Sequence, residues 1–147
     1  MSKAIEVLMV DDDPGDVRLV QEVLKADKAN IRMMVCVDGQ DCMDYLRGLG
    51  KYAIATRPDI ILMDLNMPRK NGLEALREIK ANPDLRKIPV VVLTNSQTDA
   101  DARAAYREMA VSAITKPIDL PKFRKIWQDL QTHGTSWVDM ASFNRVP

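Results

Sequence analysis

The chain has 147 residues, 46% of them apolar, which suits one globular domain with a single core and excludes a fold that depends on disulfide or metal staples. Lys+Arg and Asp+Glu each number 21, so the formal net charge is zero; this excludes a general polyanion-coating protein, because phosphate-backbone binding needs a cationic excess or stripe. The longest apolar runs are about five residues against the ~20 that span a bilayer, so neither a membrane span nor a nucleic-acid partner is expected.

Ile5–Val10 reads as a first strand, too short for a signal-peptide core and followed at once by Asp11-Asp12-Asp13. Asp13-Pro14 opens a helix over 14–26, an N-cap acid before proline at the first helical position, with Val17, Leu19, Val20, Val23 and Leu24 as its apolar stripe. Ile31–Val37 is the second strand and 39–49 the second helix. They carry the only cysteines, Cys36 and Cys42, which have no CxxC spacing and lie far from the single histidine, His133; they read as reduced thiols of a cytoplasmic protein. After a loop over Gly50–Pro58, Ile60–Met63 forms a third strand that ends at Asp64. A helix over 72–82 starts after Asn71-Gly72 and stops at Asn82-Pro83, with Leu73, Leu76 and Ile79 on one side. Val90–Leu93 is the fourth strand, ending at Thr94. The helix expected over 99–109 has little apolar bulk beyond alanines, Tyr106 and Met109, and should be the least firmly seated. Val111–Ile114 runs into Thr115-Lys116, and a last helix over 119–131 turns Leu120, Phe123, Ile126, Trp127 and Leu130 inward.

The third and fourth strands are apolar at every position, as expected when both faces of a parallel sheet are covered. Five successive βα units then give an α/β domain over 1–131, a doubly wound parallel sheet with right-handed crossovers, leaving 132–147 as a C-terminal extension.

The polar residues sit at strand ends. Asp11-Asp12, Asp64, Thr94 and Lys116 each follow a different strand, at the edge where open α/β sheets place their sites. In the order 2-1-3-4-5 those strands are neighbours, and their terminal side chains converge. Two carboxylates ~4 Å apart repel by about 4 kcal/mol at an effective dielectric near 20. Three such acids beside one lysine invite a divalent cation, and an all-oxygen donor set favours Mg²⁺ or Mn²⁺ over zinc. A cation that favours phosphate oxygens makes a phosphoryl group the natural occupant. Its arrival on Asp64 would replace one negative charge by about two, for Lys116 and Thr94 to meet. Bland readings stand beside these. Asp13 is a helix cap rather than a ligand; threonine suits any strand end; a lone lysine or loop acid is usually solvated. An unpaired Asp64 after four apolar residues would be costly, which argues against a purely structural role.

With these residues in order, the chain resembles the receiver domain of response regulators, the phosphoacceptor module of two-component signalling. The matching residues are Asp11-Asp12, Asp64-Leu65-Asn66-Met67-Pro68 with Gly72, Thr94 after Pro89-Val90-Val91-Val92-Leu93, and Lys116-Pro117, over about 5–131. The resemblance implies a flavodoxin-like (βα)5 sheet and phosphorylation at Asp64. It further implies Mg²⁺ (or Mn²⁺) held by Asp12, Asp64 and the Asn66 carbonyl with Asp11 assisting, phosphoryl contacts from Thr94 and Lys116, and a cis bond before Pro117. The pattern departs at Ala113, where many receivers carry an aromatic that swings inward; an aromatic-coupled switch is therefore in doubt.

No output domain is expected after the last helix, so the reading is a stand-alone regulator rather than an enzyme, phosphorylated by a sensor histidine kinase and signalling to a downstream protein by contact. Asn82–Pro89, the loop ending Arg57-Pro58 and the tail with Trp137-Val138 resemble small receivers paired with phytochrome-type histidine kinases. Trp137, Val138, Met140, Phe143 and Val146 make that tail too apolar for a solvated end; folding back or pairing with a second copy would each cover it, and a homodimer is expected. Two alternatives are a Mg²⁺-dependent phosphatase with an aspartyl nucleophile, though its pattern would place the nucleophile after strand one, and an unphosphorylated adaptor. A nucleotide-binding domain fails at the first turn, where three acids stand in place of a glycine-rich loop.

Overall fold

Five strands form one parallel sheet: β1 (Ile5–Val10), β2 (Ile31–Cys36), β3 (Ile60–Asp64), β4 (Val90–Thr94) and β5 (Ser112–Thr115), in the order β2-β1-β3-β4-β5. This computed structural model describes residues 4–28, 30–65, 67, 71–94, 107, 110 and 112–133. Within them the helices are α1 (Pro14–Ala26), α2 (Gly39–Arg47), α3 (Gly72–Ala81) and α4 (Leu120–His133). The expected helix over 99–109, with Tyr106 and Met109, lies outside the described residues except for Arg107, and Asn66 and the apolar residues of the tail lie outside them too.

Strand alternation explains the two cores. Leu8, Val10, Ile61, Met63, Val90 and Val92 face α2 and α3, while Val7, Met9, Ile60, Leu62, Val91 and Leu93 face α1 and α4. With each face covered, β3 and β4 are buried at every position, which is why their sequences carry no polar alternation. Each fully buried aliphatic side chain contributes roughly 1.5–3 kcal/mol relative to exposure, and this holds the strand ends in register. In α1 the inward residues are Val20, Val23 and Leu24, with Val17 and Leu19 half-buried; in α4 they are Phe123, Ile126 and Trp127. In α3 they are Ala75, Leu76 and Ile79, while Leu73 stays half-buried at the rim.

Local chemistry sets the boundaries. Asp13 caps α1 by accepting from the Gly15 N–H at 2.8 Å, the capping role expected of it. Asn71 and Glu74 complete a reciprocal capping box at the start of α3. The second helix ends at Arg47 instead of 49 because Gly48 turns left-handed at φ 68°, a conformation glycine adopts without a Cβ penalty. The second strand stops at Cys36, one residue short, and Val37 is exposed. The segment expected as a loop over Gly50–Pro58 begins with a short 3-10 turn, Gly50–Tyr52. The last helix runs to His133 rather than 131.

Candidate functional site

The site is built at the carboxyl ends of β1, β3, β4 and β5. Asp11 continues β1, its N–H bonded to the Cys36 carbonyl at 3.0 Å, and its carboxylate is buried. Asp64 is the last residue of β3, opposite Leu93, and the next N–H, of Leu65, bonds to the Leu93 carbonyl at 3.1 Å. Thr94 closes β4 and is buried; its carbonyl accepts from the Lys116 N–H at 2.7 Å, tying the segment after β5 to the neighbouring strand end. The Lys116-Pro117 bond is cis, as the resemblance implied.

These placements bring the acids together. One carboxylate oxygen each from Asp11, Asp12 and Asp64 lies within 4.8 Å of the others. Asp12 is exposed, whereas Asp11 and Asp64 are buried. The Lys116 ammonium sits among them: Nζ donates to Asp64 Oδ2 at 2.9 Å and lies 3.1 Å from Asp11 Oδ2 and 2.7 Å from Asp16 Oδ2. The Asp11 contact is an ion pair whose angle misses hydrogen-bond geometry, so that buried oxygen has no hydrogen-bond donor. The other, Oδ1, accepts from the Asp13 N–H at 2.9 Å.

Burial pushes the Asp11 carboxyl up to about 6; the Asp13 N–H and Lys116 oppose the rise, and the charge on Asp64 adds to it. For Lys116 burial works against the charged form, but the close carboxylates of Asp16, Asp64 and Asp11 outweigh it and hold the ammonium above the usual lysine range. The ammonium is therefore a permanent charge at any physiological pH.

α3 also shapes the site. A Cβ at Gly72 would collide with the Asp64 carbonyl oxygen, and the Gly72 N–H reaches the Leu65 carbonyl at 3.3 Å. Only glycine lets the helix start this close behind the site.

A strand-terminal carboxylate beside a lysine and two further acids is the arrangement on which the resemblance rested. The response regulator receiver domain family matches residues 7–128. The chain belongs to that family. The receiver is 42% identical over 136 residues to the response regulator Rcp1 of Synechocystis, spanning 92% of each chain. Its fold matches the crystal structure of Mn²⁺-bound Rcp1 with a TM-score of 0.76 at 40% identity, covering 90% of this chain and 95% of that one. It matches the phosphorylated cyanobacterial phytochrome response regulator RcpA with a TM-score of 0.77 at 38% identity, over 90% and 95% of the two chains.

Of the residues expected at this receiver's site, Asp11, Asp12, Asp64 and Lys116 are gathered in one cluster, and Thr94 stands at the adjacent strand end. Asn66 lies outside the described residues. Asp16 went unnoticed in the sequence. It sits in the first turn of α1, where an acid reads as a partner for the helix dipole. Counting it, the site gathers four carboxylates and one ammonium, a formal charge of −3, one more negative than the three acids and one lysine read from the sequence.

Proposed function

We propose that this receiver is a stand-alone phosphorylation switch: a sensor histidine kinase transfers a phosphoryl group to Asp64, and the changed charge alters contacts with a downstream protein. The observation that carries this reading is the 2.9 Å contact between Lys116 Nζ and Asp64 Oδ2 inside a cluster of further acids. A carboxylate oxygen of Asp64 attacks phosphorus, and the P–N bond of a phosphohistidine breaks with its electron pair staying on the imidazole. The acyl phosphate so formed carries about one more negative charge than the carboxylate it replaces. Lys116 and the Thr94 hydroxyl lie at the strand ends beside it.

The donor set fits a hard divalent cation, since all three acids offer oxygen and one of them, Asp11 Oδ2, is buried without a hydrogen bond. Asp11, Asp12 and Asp64 would hold Mg²⁺ or Mn²⁺, with the Asn66 carbonyl as a further ligand. When bound, the cation supplies charge neutralisation and a template for the phosphoryl oxygens. No turnover of a separate substrate is part of this reading.

The likeness to RcpA, a phytochrome response regulator, supports a phytochrome-type kinase as the donor, and a cytoplasmic setting is part of the same reading. No helix among the described residues is long and apolar enough to cross a membrane. The apolar tail over 132–147 supports a homodimer, tested by sedimentation with and without that segment.

Incubation with Mg²⁺ and acetyl phosphate, followed by intact-mass measurement, should add one phosphoryl group to the wild type and none to Asp64→Asn. Modification unchanged in that variant would assign the nucleophile elsewhere. Steady turnover of a small phosphate ester would favour the phosphatase reading.

A further inference from the structure

We propose that Asp16 is a positioning residue that keeps the Lys116 ammonium at the site while Asp11 is drawn away to the cation; the inference rests on the phosphoacceptor reading above. Asp13 and Asp16 have capping-box spacing at the start of α1, so a carboxylate at Asp16 could have reached back to the N-cap N–H. That is what Glu74 does for Asn71 at the start of α3. In α1 the N-cap N–H is already taken, by Asp11 Oδ1 at 2.9 Å. Asp16 turns instead to Lys116, exactly 100 residues along the chain, and makes the shortest of its three carboxylate contacts, 2.7 Å against 2.9 Å to Asp64 and 3.1 Å to Asp11.

The ammonium has three N–H donors and no acceptor capacity. Three carboxylate oxygens surround it, and they differ in what else they are needed for. Asp11 and Asp64 belong to the acidic cluster, whereas Asp16 does not. Only the Asp64 contact meets hydrogen-bond geometry; those to Asp11 and Asp16 are ion pairs, and Asp11 Oδ2 is buried with no hydrogen bond. With a divalent cation held by Asp11, Asp12 and Asp64, that oxygen would be drawn toward the cation and the ammonium would be repelled. Two of the three contacts on Lys116 would then be weakened together, leaving an N–H of the ammonium available to a phosphoryl oxygen. Asp16 is the carboxylate left to hold Nζ in place, and its side chain is only 18% exposed, which limits solvent screening.

The test is a beryllofluoride titration of the full chain with saturating Mg²⁺, comparing wild type, Asp16→Asn, Asp16→Glu and Asp64→Asn, alongside a titration with Mg²⁺ alone. Asp16→Asn should bind beryllofluoride about tenfold more weakly, the usual effect of losing one charge-assisted contact. It should bind Mg²⁺ alone no more weakly than wild type, and Asp16→Glu should recover most of the loss. In ¹⁵N spectra the Lys116 NH3⁺ signal should be visible in wild type with Mg²⁺ and broadened away in Asp16→Asn. Equal or tighter beryllofluoride binding by Asp16→Asn overturns the inference. So does an equal loss of Mg²⁺ affinity, which would make Asp16 a support of the acidic loop. Failure of the phosphoacceptor reading is separate: there wild type itself would not bind beryllofluoride, or Asp64→Asn would bind it equally well.

Discussion

Lys116 Nζ and Asp64 Oδ2 are 2.9 Å apart although 52 residues separate them in sequence. The pair is a consequence of sheet order: β4 lies between β3 and β5, and the Thr94 carbonyl anchors the Lys116 backbone on the way. Replacing the lysine by methionine keeps most of its volume but leaves Asp11 and Asp64 buried with their charges uncompensated. Lys116→Met should lower stability by about 2–4 kcal/mol without divalent cation, and Mg²⁺ should restore part of the loss. Urea unfolding with and without Mg²⁺ measures both; a loss indifferent to Mg²⁺ would place the defect in packing instead.

Asp12 is the exposed member of the acidic cluster, so it contributes repulsion and metal affinity but little packing. Mg²⁺ at a hundred times its dissociation constant should stabilise the wild type by about 2.7 kcal/mol, because it binds the folded state alone. Asp12→Ala should raise the cation-free melting midpoint and abolish most of the Mg²⁺ increment. A thermal melt series reads both signs; a variant that keeps the full increment would remove Asp12 from the ligand set.

Gly72→Ala places a methyl group against the Asp64 carbonyl oxygen. The backbone at β3 or the start of α3 must then give way, at roughly 1–3 kcal/mol for overpacking. Because the displaced atoms carry the acceptor, acetyl phosphate labelling of this variant should be slower than that of wild type even where both are fully folded. Chemical denaturation and a labelling time course separate the two effects.

Cys36 and Cys42 are free and buried, and burial pushes the Cys36 thiol up from 9.0 to about 12, with Asp41 adding to the rise. At pH 8 its thiolate fraction is about one in ten thousand, so iodoacetamide should leave the native protein unlabelled and modify two sites per chain in urea. The linkage sign follows from the same shift. The folded state retains this proton between about pH 9 and 12 while the unfolded state loses it. The contribution is therefore full below pH 9 and is lost as pH rises toward 12. Urea midpoints should fall between pH 8 and pH 10; a flat profile would contradict the burial argument.

Much of the fold was readable because its signals are local. β1 has the bounds its apolar run suggested, and β3 and β4 differ from expectation only by including Asp64 and Thr94. Asp13 capping α1 and the glycine before Leu73 opening α3 are likewise one-turn effects. The helix and strand ends that shifted, among them Arg47, Cys36 and His133, moved by the one or two residues over which end effects outweigh a periodic pattern.

By itself the sequence determined the strand sequence, the type of sheet and the set of acids, lysine and threonine delivered to its carboxyl edge, since each follows from hydrophobic run length and from what ends the run. Only the tertiary structure decided how Lys116 divides its ammonium. Asp16 is recruited from a helix turn because the Asp13 N–H is already satisfied by Asp11, and Asp11 in turn is left with one buried oxygen lacking a hydrogen bond. Such choices depend on which donors and acceptors remain unpaired after the chain has packed. That is a property of residues 100 positions apart brought within 2.7 Å, and no local pattern encodes it.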